Sequence, residues 1–448
     1  MTDDLHLRVF RDRSELIAVT GETQCFLEGS MSQSAKERYQ RISQELANGY
    51  FENKIIALQN RAINFDTSKL SQKNIDHLNR LVNSVTSEVG RALVGITVLQ
   101  LCVKAIEPRQ SIRLHKGSSS RRDFSWQEGI SMRSLDKQYI TPTLRKYDLL
   151  KLNADGFMMT RSLAENYPYS PVYKAKIRGA RLEWSEIVES IEALELDAES
   201  ALDYLLSEML NRANDFQKLA QETVSDLEKF LEANEAIDRR IATNLIWRHV
   251  NESDYAARVL EIAIHSLMQA MQEGRVFPEY SLKPLSQMRS ANKKHGNIGD
   301  IELLEGNDIV EAWDAKYGKA YLRDELDELA EKLKEHPKVE LAGFVTSLQP
   351  ERLQELEDSR QEIEDEFGIY PRILTFEDWV EEQFRRSLKE NIMAEIELAT
   401  AWLIAYAESL AQRRRDIAPI DEPCQQWLIA LKGILDSLLN HQQDVQDI

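Results

Sequence analysis

The scarcity of chain-breaking residues limits most strongly what this chain can fold into. The 17 glycines and 11 prolines make up about 6% of the 448 residues, where average usage is roughly 12%. So few breakers favour long helices and argue against an all-β sandwich or barrel. Hydrophobic residues at 42% and charged residues at 29% are typical of a globular protein. The sequence therefore predicts an α+β, mostly helical fold.

The cysteines and the apolar stretches indicate the cellular compartment of the protein. Cys25, Cys102 and Cys424 are far apart in the sequence, which excludes a disulfide scaffold and a CxxC zinc site. Residues 1–20 carry charges throughout and do not resemble a signal peptide. The most apolar stretch, residues 93–106, is too short to span a bilayer. We expect a cytoplasmic protein with no membrane partner.

The charge is distributed unevenly along the chain. The net charge is −19, yet residues 101–185 hold 16 Lys/Arg and 8 Asp/Glu, a local net of +8. An acidic protein with one basic segment can bind a polyanion locally. The alternative is a solvated basic face.

Residues 108–129 predict a basic loop rich in short polar side chains. Gly117 and three serines are surrounded by cations, and guanidinium groups beside hydroxyl groups suit phosphate oxygens. The alternative is a flexible solvated loop. The candidate DNA contacts in this loop are Arg113, Lys116, Arg121 and Arg122.

Residues 131–166 follow the order of a small DNA-binding domain. Residues 134–153 predict a short helix, a Thr141-Pro142 turn and a second, basic helix, and Asp155-Gly156 predicts a hairpin turn. This order resembles a winged-helix domain; the alternative is a small structural α/β insert. The resemblance implies that the second helix and the wing contact DNA. The stretch that follows interleaves aromatic residues with cations, which suits sugar–phosphate contact or base stacking. The cations concerned are Arg145, Lys146, Lys151, Arg161, Lys174, Lys176 and Arg178.

Residues 254–376 predict a helix, a hairpin, a helix, a strand, an acidic helix and a last strand. Residues 254–274 carry one apolar stripe at helical spacing, and two apolar runs flank Glu305-Gly306-Asn307-Asp308, a hairpin signal. On the second hairpin strand, the period of two places four side chains on one face: Val310, Ala312, Asp314 and Lys316.

An acid, a spacer and an acid-x-Lys triplet lie within this run of elements. Asp300 comes at the start of the first hairpin strand, thirteen residues intervene, and Asp314-Ala315-Lys316 follows. The order of elements and the triplet together resemble the PD-(D/E)XK nuclease superfamily. Gly299 stands where that superfamily usually has a proline. The alternative is an edge strand with a solvated Asp–Lys face.

The residue types suit Mg²⁺-dependent hydrolysis of a phosphodiester. Mg²⁺ takes hard oxygen ligands and keeps several waters, so one or two carboxylates suffice. Asp300 and Asp314 are the predicted ligands, with Glu302 as an added ligand on the same face and Glu261 of the preceding helix as a further candidate. Lys316 would orient the attacking water and offset charge on the transition state.

Five segments are predicted. They are a helical region over 1–106, the basic winged-helix-like segment over 107–182, a helical connector over 183–249, the PD-(D/E)XK-like core over 250–385, and a helical region over 386–448. A sequence-reading segment joined to a metal-dependent nuclease core suggests a type II restriction endonuclease acting on double-stranded DNA. Cutting both strands with one site per chain would need two chains, so we expect a homodimer.

Two other functions fit the same sequence. A structure-specific repair or recombination nuclease would use the same site without sequence preference. A non-catalytic winged-helix regulator would bind DNA and leave it intact in Mg²⁺. No G-x-G-x-x-G, G-x-x-x-x-G-K-[ST] or H-E-x-x-H motif is present, which argues against a dinucleotide site, a P-loop and a zincin.

Overall fold

The protein divides into two compact units, Met1–Asp215 and Phe216–Ile448. It is α+β and mostly helical, as predicted. No helix in the described part of the chain is both long enough and apolar enough to cross a membrane. The structure is a computed structural model that describes residues 7–10, 12–17, 22–60, 67–86, 88–114, 126–150, 180–234, 236–285, 296–389, 392–414 and 422–446.

The first unit combines a small sheet with a helical body. Strands β1 (Leu7–Val9), β2 (Arg13–Ile17) and β3 (Thr23–Leu27) form an antiparallel meander, which was not predicted from the sequence. The helix α4 is buried along residues 90–104 and lies at the centre of the unit. The helices are α1 (Gln33–Ala47), α2 (Tyr50–Gln59), α3 (Gln72–Asn83), α4 (Glu88–Ile106), α5 (Met132–Leu135), α6 (Thr141–Lys146), α7 (Arg181–Glu192) and α8 (Ala198–Ala233), which continues into the second unit.

The turn predicted at Thr141-Pro142 is wrong. A π-helical turn, Asp136–Ile140, joins α5 to α6, so the chain stays helical from residue 132 to residue 146. Pro142 is the second residue of α6 and directly follows the junction with the π-helical turn, where the regular hydrogen-bond pattern of an α-helix is interrupted. The Asp155-Gly156 hairpin predicted beyond this helix lies outside the described residues.

The second unit is built around a five-stranded mixed sheet. Its strands are β4 (Ser281–Leu282), β5 (Ile301–Glu305), β6 (Asp308–Lys316), β7 (Leu341–Thr346) and β8 (Arg372–Thr375), in that spatial order. The pairs β4–β5 and β5–β6 are antiparallel, whereas β6–β7 and β7–β8 are parallel. Because parallel strands need a crossover connection, a helix follows each of β6 and β7.

Helices pack on both faces of this sheet. One face carries α9 (Arg239–Glu252), α10 (Ala256–Glu273), α13 (Phe376–Lys389), α14 (Glu395–Leu410) and α15 (Cys424–Gln446) in a large apolar core. The other face carries α11 (Arg323–Leu333) and α12 (Leu353–Phe367) in a smaller core. The predicted succession of helix, hairpin, helix, strand, helix and strand is confirmed as α10, β5–β6, α11, β7, α12 and β8.

The β5–β6 hairpin departs from the simple period of two at one point. Its tight turn uses Gly306 at φ +63°, a conformation that glycine adopts at little cost. The register then shifts within the hairpin, and Val310 is the extra residue of a bulge on β6. Val310 packs in the large core with Trp313, whereas Ala312 packs in the small core. The prediction that Val310 shares a face with Asp314 is therefore wrong.

Candidate active site

The hairpin brings the two predicted aspartates together. Asp300 lies directly before β5, and its backbone N–H donates to the carbonyl of Trp313 over 2.9 Å. Its Oδ2 accepts a hydrogen bond from the backbone N–H of Ala315 over 3.1 Å. Antiparallel pairing therefore places Asp300 beside Asp314, although thirteen residues separate them in the chain. The Nζ of Lys316 lies 2.8 Å from Oδ2 of Asp314.

The charged groups of this cluster shift one another's pKa. Burial, and then the negative charges of Asp314 and Glu261, raise the pKa of Asp300 well above its ordinary value. The side chain of Asp314 adds to this rise in the pKa of Asp300 through hydrogen bonding as well. Burial lowers the pKa of Lys316, but Asp314 and Asp300 outweigh that effect and raise it. The ammonium of Lys316 is therefore charged at neutral pH.

A third carboxylate, Glu261 of α10, interacts with the aspartate pair. Burial raises the pKa of Glu261, Arg258 opposes the shift, and Asp314 and Glu422 add to it. Arg258 forms an ion pair with Glu261 and, over 2.5 Å from Nε to Oε1, with Glu422. Arg258 and Glu422 were not predicted from the sequence. The i,i+3 spacing of Arg258 and Glu261 on a helix was the available signal for that pair, whereas no local pattern points to Glu422.

Glu302, two residues after Asp300 in the chain, contacts residues that precede the hairpin and not the aspartate pair. Its side chain is 2% exposed, and its Oε2 lies 2.6 Å from Nζ of Lys283. Its Oε1 accepts hydrogen bonds from the backbone N–H groups of Ile298 and Gly299 over 2.6 and 3.3 Å. Within the described ranges, no hydrogen bond or ion pair joins Glu302 to Asp314. The contacts group the aspartate pair with Glu261 and leave Glu302 outside that group.

A cleft adjoins Asp314 on the side of α11. Its volume is about 280 Å³, including the open mouth. Asp314 is one of the residues that line the cleft, and it is 9% exposed. The other lining residues come from both strands and helix: Ile298, Gly299, Ala312, Gly343 and Phe344 on one side, and Glu325, Glu328, Leu329 and Lys332 on the other.

The donor set fits Mg²⁺. Asp300 and Asp314 offer hard oxygen ligands at one point, and Mg²⁺ binds through one or two carboxylates while it keeps several waters. Burial and then the neighbouring carboxylates raise the pKa of Asp300, and a divalent cation bound there would favour its ionised form. Over the described residues, no group of three or more His, Cys, Asp or Glu side chains is arranged so that it could hold a metal ion. Asp300 and Asp314 are two candidate ligands, and the other ligands of a Mg²⁺ ion would be waters.

The predicted DNA contacts fall into three groups. Arg113 is buried at 2% exposure and ion-pairs with Glu189, so the structure does not support it as a surface phosphate contact. Arg145 and Lys146 are exposed on α6, and Lys146 also pairs with Glu52. The remaining predicted contacts lie outside the described residues: Lys116, Arg121, Arg122, Lys151, Arg161, Lys174, Lys176 and Arg178.

No protein-family model and no curated protein matches this chain.

Proposed function

We propose that the protein is a Mg²⁺-dependent nuclease with a PD-(D/E)XK-type core. The observation that carries the proposal is the cluster of Asp300, Asp314 and Lys316 on one hairpin, within the succession of elements that this superfamily shares. The finer proposal is a site-specific endonuclease of double-stranded DNA, similar to a type II restriction enzyme. The basic winged-helix-like segment would be its sequence reader.

The charge balance of the cluster supports a cation-dependent reaction. Four carboxylates, those of Glu261, Asp300, Asp314 and Glu422, surround two cations, Arg258 and Lys316. If all of them are ionised, the cluster carries an excess of two negative charges, which one divalent ion would neutralise. The same excess would repel a phosphate, so DNA could approach only after that neutralisation.

Each charged side chain of the cluster has its own proposed role. Mg²⁺ held by Asp300 and Asp314 would polarise the phosphoryl oxygen and promote the ionisation of water. Lys316, charged and held 2.8 Å from Asp314, would orient the attacking water and offset the charge that develops on the phosphate. Arg258 fixes Glu261 beside the pair and limits the negative charge there. Asp314 also lines the cleft along α11, which we take as the route by which a substrate would reach it.

The test is incubation of the full-length protein with phage DNA in Mg²⁺ and, separately, in EDTA. We expect discrete fragments in Mg²⁺ alone, and sequencing of their ends would give the recognition site. A smear in Mg²⁺ would instead support a repair or recombination nuclease. Intact DNA on several unmethylated substrates would overturn the nuclease proposal and favour a non-catalytic DNA-binding protein.

Substitutions on strand β6 test whether any cleavage depends on this site. Asp314→Asn and Lys316→Ala are expected to abolish cleavage while DNA binding persists. Asp308→Asn is the control, because Asp308 lies on the same strand but pairs with Lys338 at the exposed turn. Cleavage at the wild-type rate by either site variant would show that the site is misassigned.

Cleavage of both strands also implies an assembly. A single site per chain would cut one strand at a time, so the proposed enzyme acts as a homodimer. Sedimentation of the protein with and without DNA would give its mass. A monomer that still releases blunt or staggered double-strand fragments in one binding event would contradict the dimer.

A further inference from the structure

Both carboxylate oxygens of Glu302 have partners within the protein. Oε1 accepts from the backbone N–H groups of Ile298 and Gly299 over 2.6 and 3.3 Å. Oε2 lies 2.6 Å from Nζ of Lys283, and the same ammonium donates to Oδ1 of Asn297 over 2.9 Å. The backbone N–H of Lys283 also donates to the carbonyl of Glu302 over 2.9 Å. Glu302 therefore joins strand β5 to both ends of the connection that precedes it.

This connection ends at the first aspartate of the site. Ile298 is held from both sides, because its carbonyl also accepts from Nζ of Lys332 over 3.0 Å. Gly299 lies against the partner strand so closely that a Cβ there would be 2.5 Å from the carbonyl oxygen of Trp313. Asp300 follows directly and donates its N–H to that same carbonyl. The position of Asp300 therefore depends on the short segment that Glu302 holds.

A metal-ligand role would require Glu302 to give up these partners. Turning its carboxylate toward the aspartates would leave the buried N–H groups of Ile298 and Gly299 unpaired. Each buried donor left unpaired would destabilise the folded state. The loss of the charge-assisted bond to Lys283 would add to that cost. The contacts thus favour an indirect role over direct ligation.

We infer that Glu302 is a positioning residue that fixes Asp300 through residues 297–299, and is not itself a metal ligand. This inference rests on the proposed function, in which Asp300 holds the cation. Supporting groups of this kind orient metal-binding side chains, and their loss typically costs roughly 10–100-fold in affinity or activity. Lys283 belongs to the same arrangement, since it binds the oxygen of Glu302 that faces away from the backbone donors.

The test compares Glu302→Gln, Lys283→Met and their double variant with Asp314→Asn. The readouts are Mn²⁺ binding by electron paramagnetic resonance, and kcat and KM for DNA. Glu302→Gln and Lys283→Met should each keep the wild-type Mn²⁺ stoichiometry and the wild-type KM, while kcat falls roughly 10–100-fold. The double variant should be no worse than either single variant, because both remove one shared contact. Lys338→Met, which breaks an exposed ion pair on the same sheet, is the control.

Two results would overturn the inference. In the first, Glu302→Gln loses Mn²⁺ as Asp314→Asn does while Lys283→Met binds like the wild type, which would make Glu302 a ligand. In the second, both variants cleave like the wild type, which would remove the positioning role.

Hydrogen exchange can test the positioning role even if the proposed function is wrong. If the wild type neither cleaves DNA nor binds Mn²⁺, the nuclease proposal fails. Hydrogen exchange at Ile298 and Gly299 then decides the positioning role. Faster exchange at these two amides in Glu302→Ala than in the wild type would support it, and equal exchange would overturn it.

Discussion

At the scale of single residues, the site is organised around two carboxylates that repel each other. Asp300 and Asp314 are close enough to hydrogen-bond, and the pKa of Asp300 is raised by burial and by its neighbours. Burying a carboxylate beside like charges destabilises the folded protein. Under the proposed function, the same repulsion would favour binding of a divalent ion, so stability and metal binding would oppose each other here.

Asp300→Asn is expected to raise the melting temperature by a few degrees in EDTA, because it removes one of the repelling charges. Mg²⁺ should raise the melting temperature of the wild type, since a ligand that binds only the folded state stabilises it. The same ion should leave Asp300→Asn nearly unchanged. Calorimetry in EDTA and in Mg²⁺ measures both effects, with Asp308→Asn as the control. Equal stabilisation of wild type and variant by Mg²⁺ would contradict the assignment of Asp300.

At the scale of secondary-structure elements, a buried histidine joins three helices. His249 of α9 is fully buried; its Nδ1 lies 2.6 Å from Oη of Tyr406 on α14, and its Nε2 lies 2.8 Å from the carbonyl of Trp427 on α15. A carbonyl only accepts, so Nε2 carries the hydrogen and Nδ1 accepts from the tyrosine. Burial lowers the pKa of His249 to about 4, against about 6.5 in an unfolded chain.

His249 should make the folded protein less stable in acid. The folded state prefers neutral His249, so its contribution to stability is complete above pH 6.5 and is lost as the pH falls toward 4. The loss amounts to about 3 kcal/mol in total. In His249→Gln this part of the acid sensitivity should be absent. Urea unfolding at pH 7.5, 6 and 5 measures it, and the same loss in the variant as in the wild type would refute the assignment.

Two glycines of the hairpin region should respond differently to substitution. A Cβ at Gly299 would lie 2.5 Å from the backbone oxygen of Trp313, so Gly299→Ala would force Asp300 away from β6. A misplacement of about 1 Å can cost roughly 10²-fold in rate. Gly306 has open space around it but a φ of +63°, so Gly306→Ala should cost only about 1 kcal/mol of stability. Rate and unfolding measurements on both variants would separate these effects, and equal rate losses would contradict this account.

The elements were more predictable than the contacts between them. The spacing of apolar residues predicted α10, and the Gly306-Asn307 turn predicted the β5–β6 hairpin, because both signals are local. The bulge at Val310 has no local signature, and it moved that side chain to the other face. The link from Arg258 to Glu422 joins residues 164 positions apart, and the burial of Arg113 depends on a helix that comes much later in the chain. Such pairings arise only from tertiary packing.

At the scale of the whole molecule, the charge distribution decides where a nucleic acid could bind. Residues 101–185 carry +8 within a chain of net −19, which leaves −27 on the remainder. An acidic protein repels DNA over most of its surface, so binding would depend on a few cations and weaken steeply with salt. Of the predicted contacts, Arg145 and Lys146 are the exposed ones that the structure describes.

Replacing Arg145 and Lys146 with alanine is expected to weaken DNA binding and to flatten its salt dependence. Removal of one cation that binds a phosphate should lower the slope of log affinity against log salt by about 1. Arg145→Ala should have the larger effect, because Lys146 already pairs with Glu52. Fluorescence anisotropy at several salt concentrations measures the slope, with Lys218→Ala on α8 as the control. Unchanged affinity would remove the winged-helix interpretation and leave the nuclease site standing.

The hydrogen bond between Lys283 and Asn297 also bears on how this protein could change over time. The Nζ of Lys283 lies 2.9 Å from Oδ1 of Asn297, which itself lies just before Asp300. Both ends of the stretch between these two residues are therefore held together. Lengthening a closed loop is cheap, about 0.6 kcal/mol for each doubling. Insertions between these anchors could therefore accumulate, or a foreign domain could be grafted there, without moving the aspartate that follows. The protein could acquire new attachments at this point while the hairpin and its aspartate pair stayed as they are.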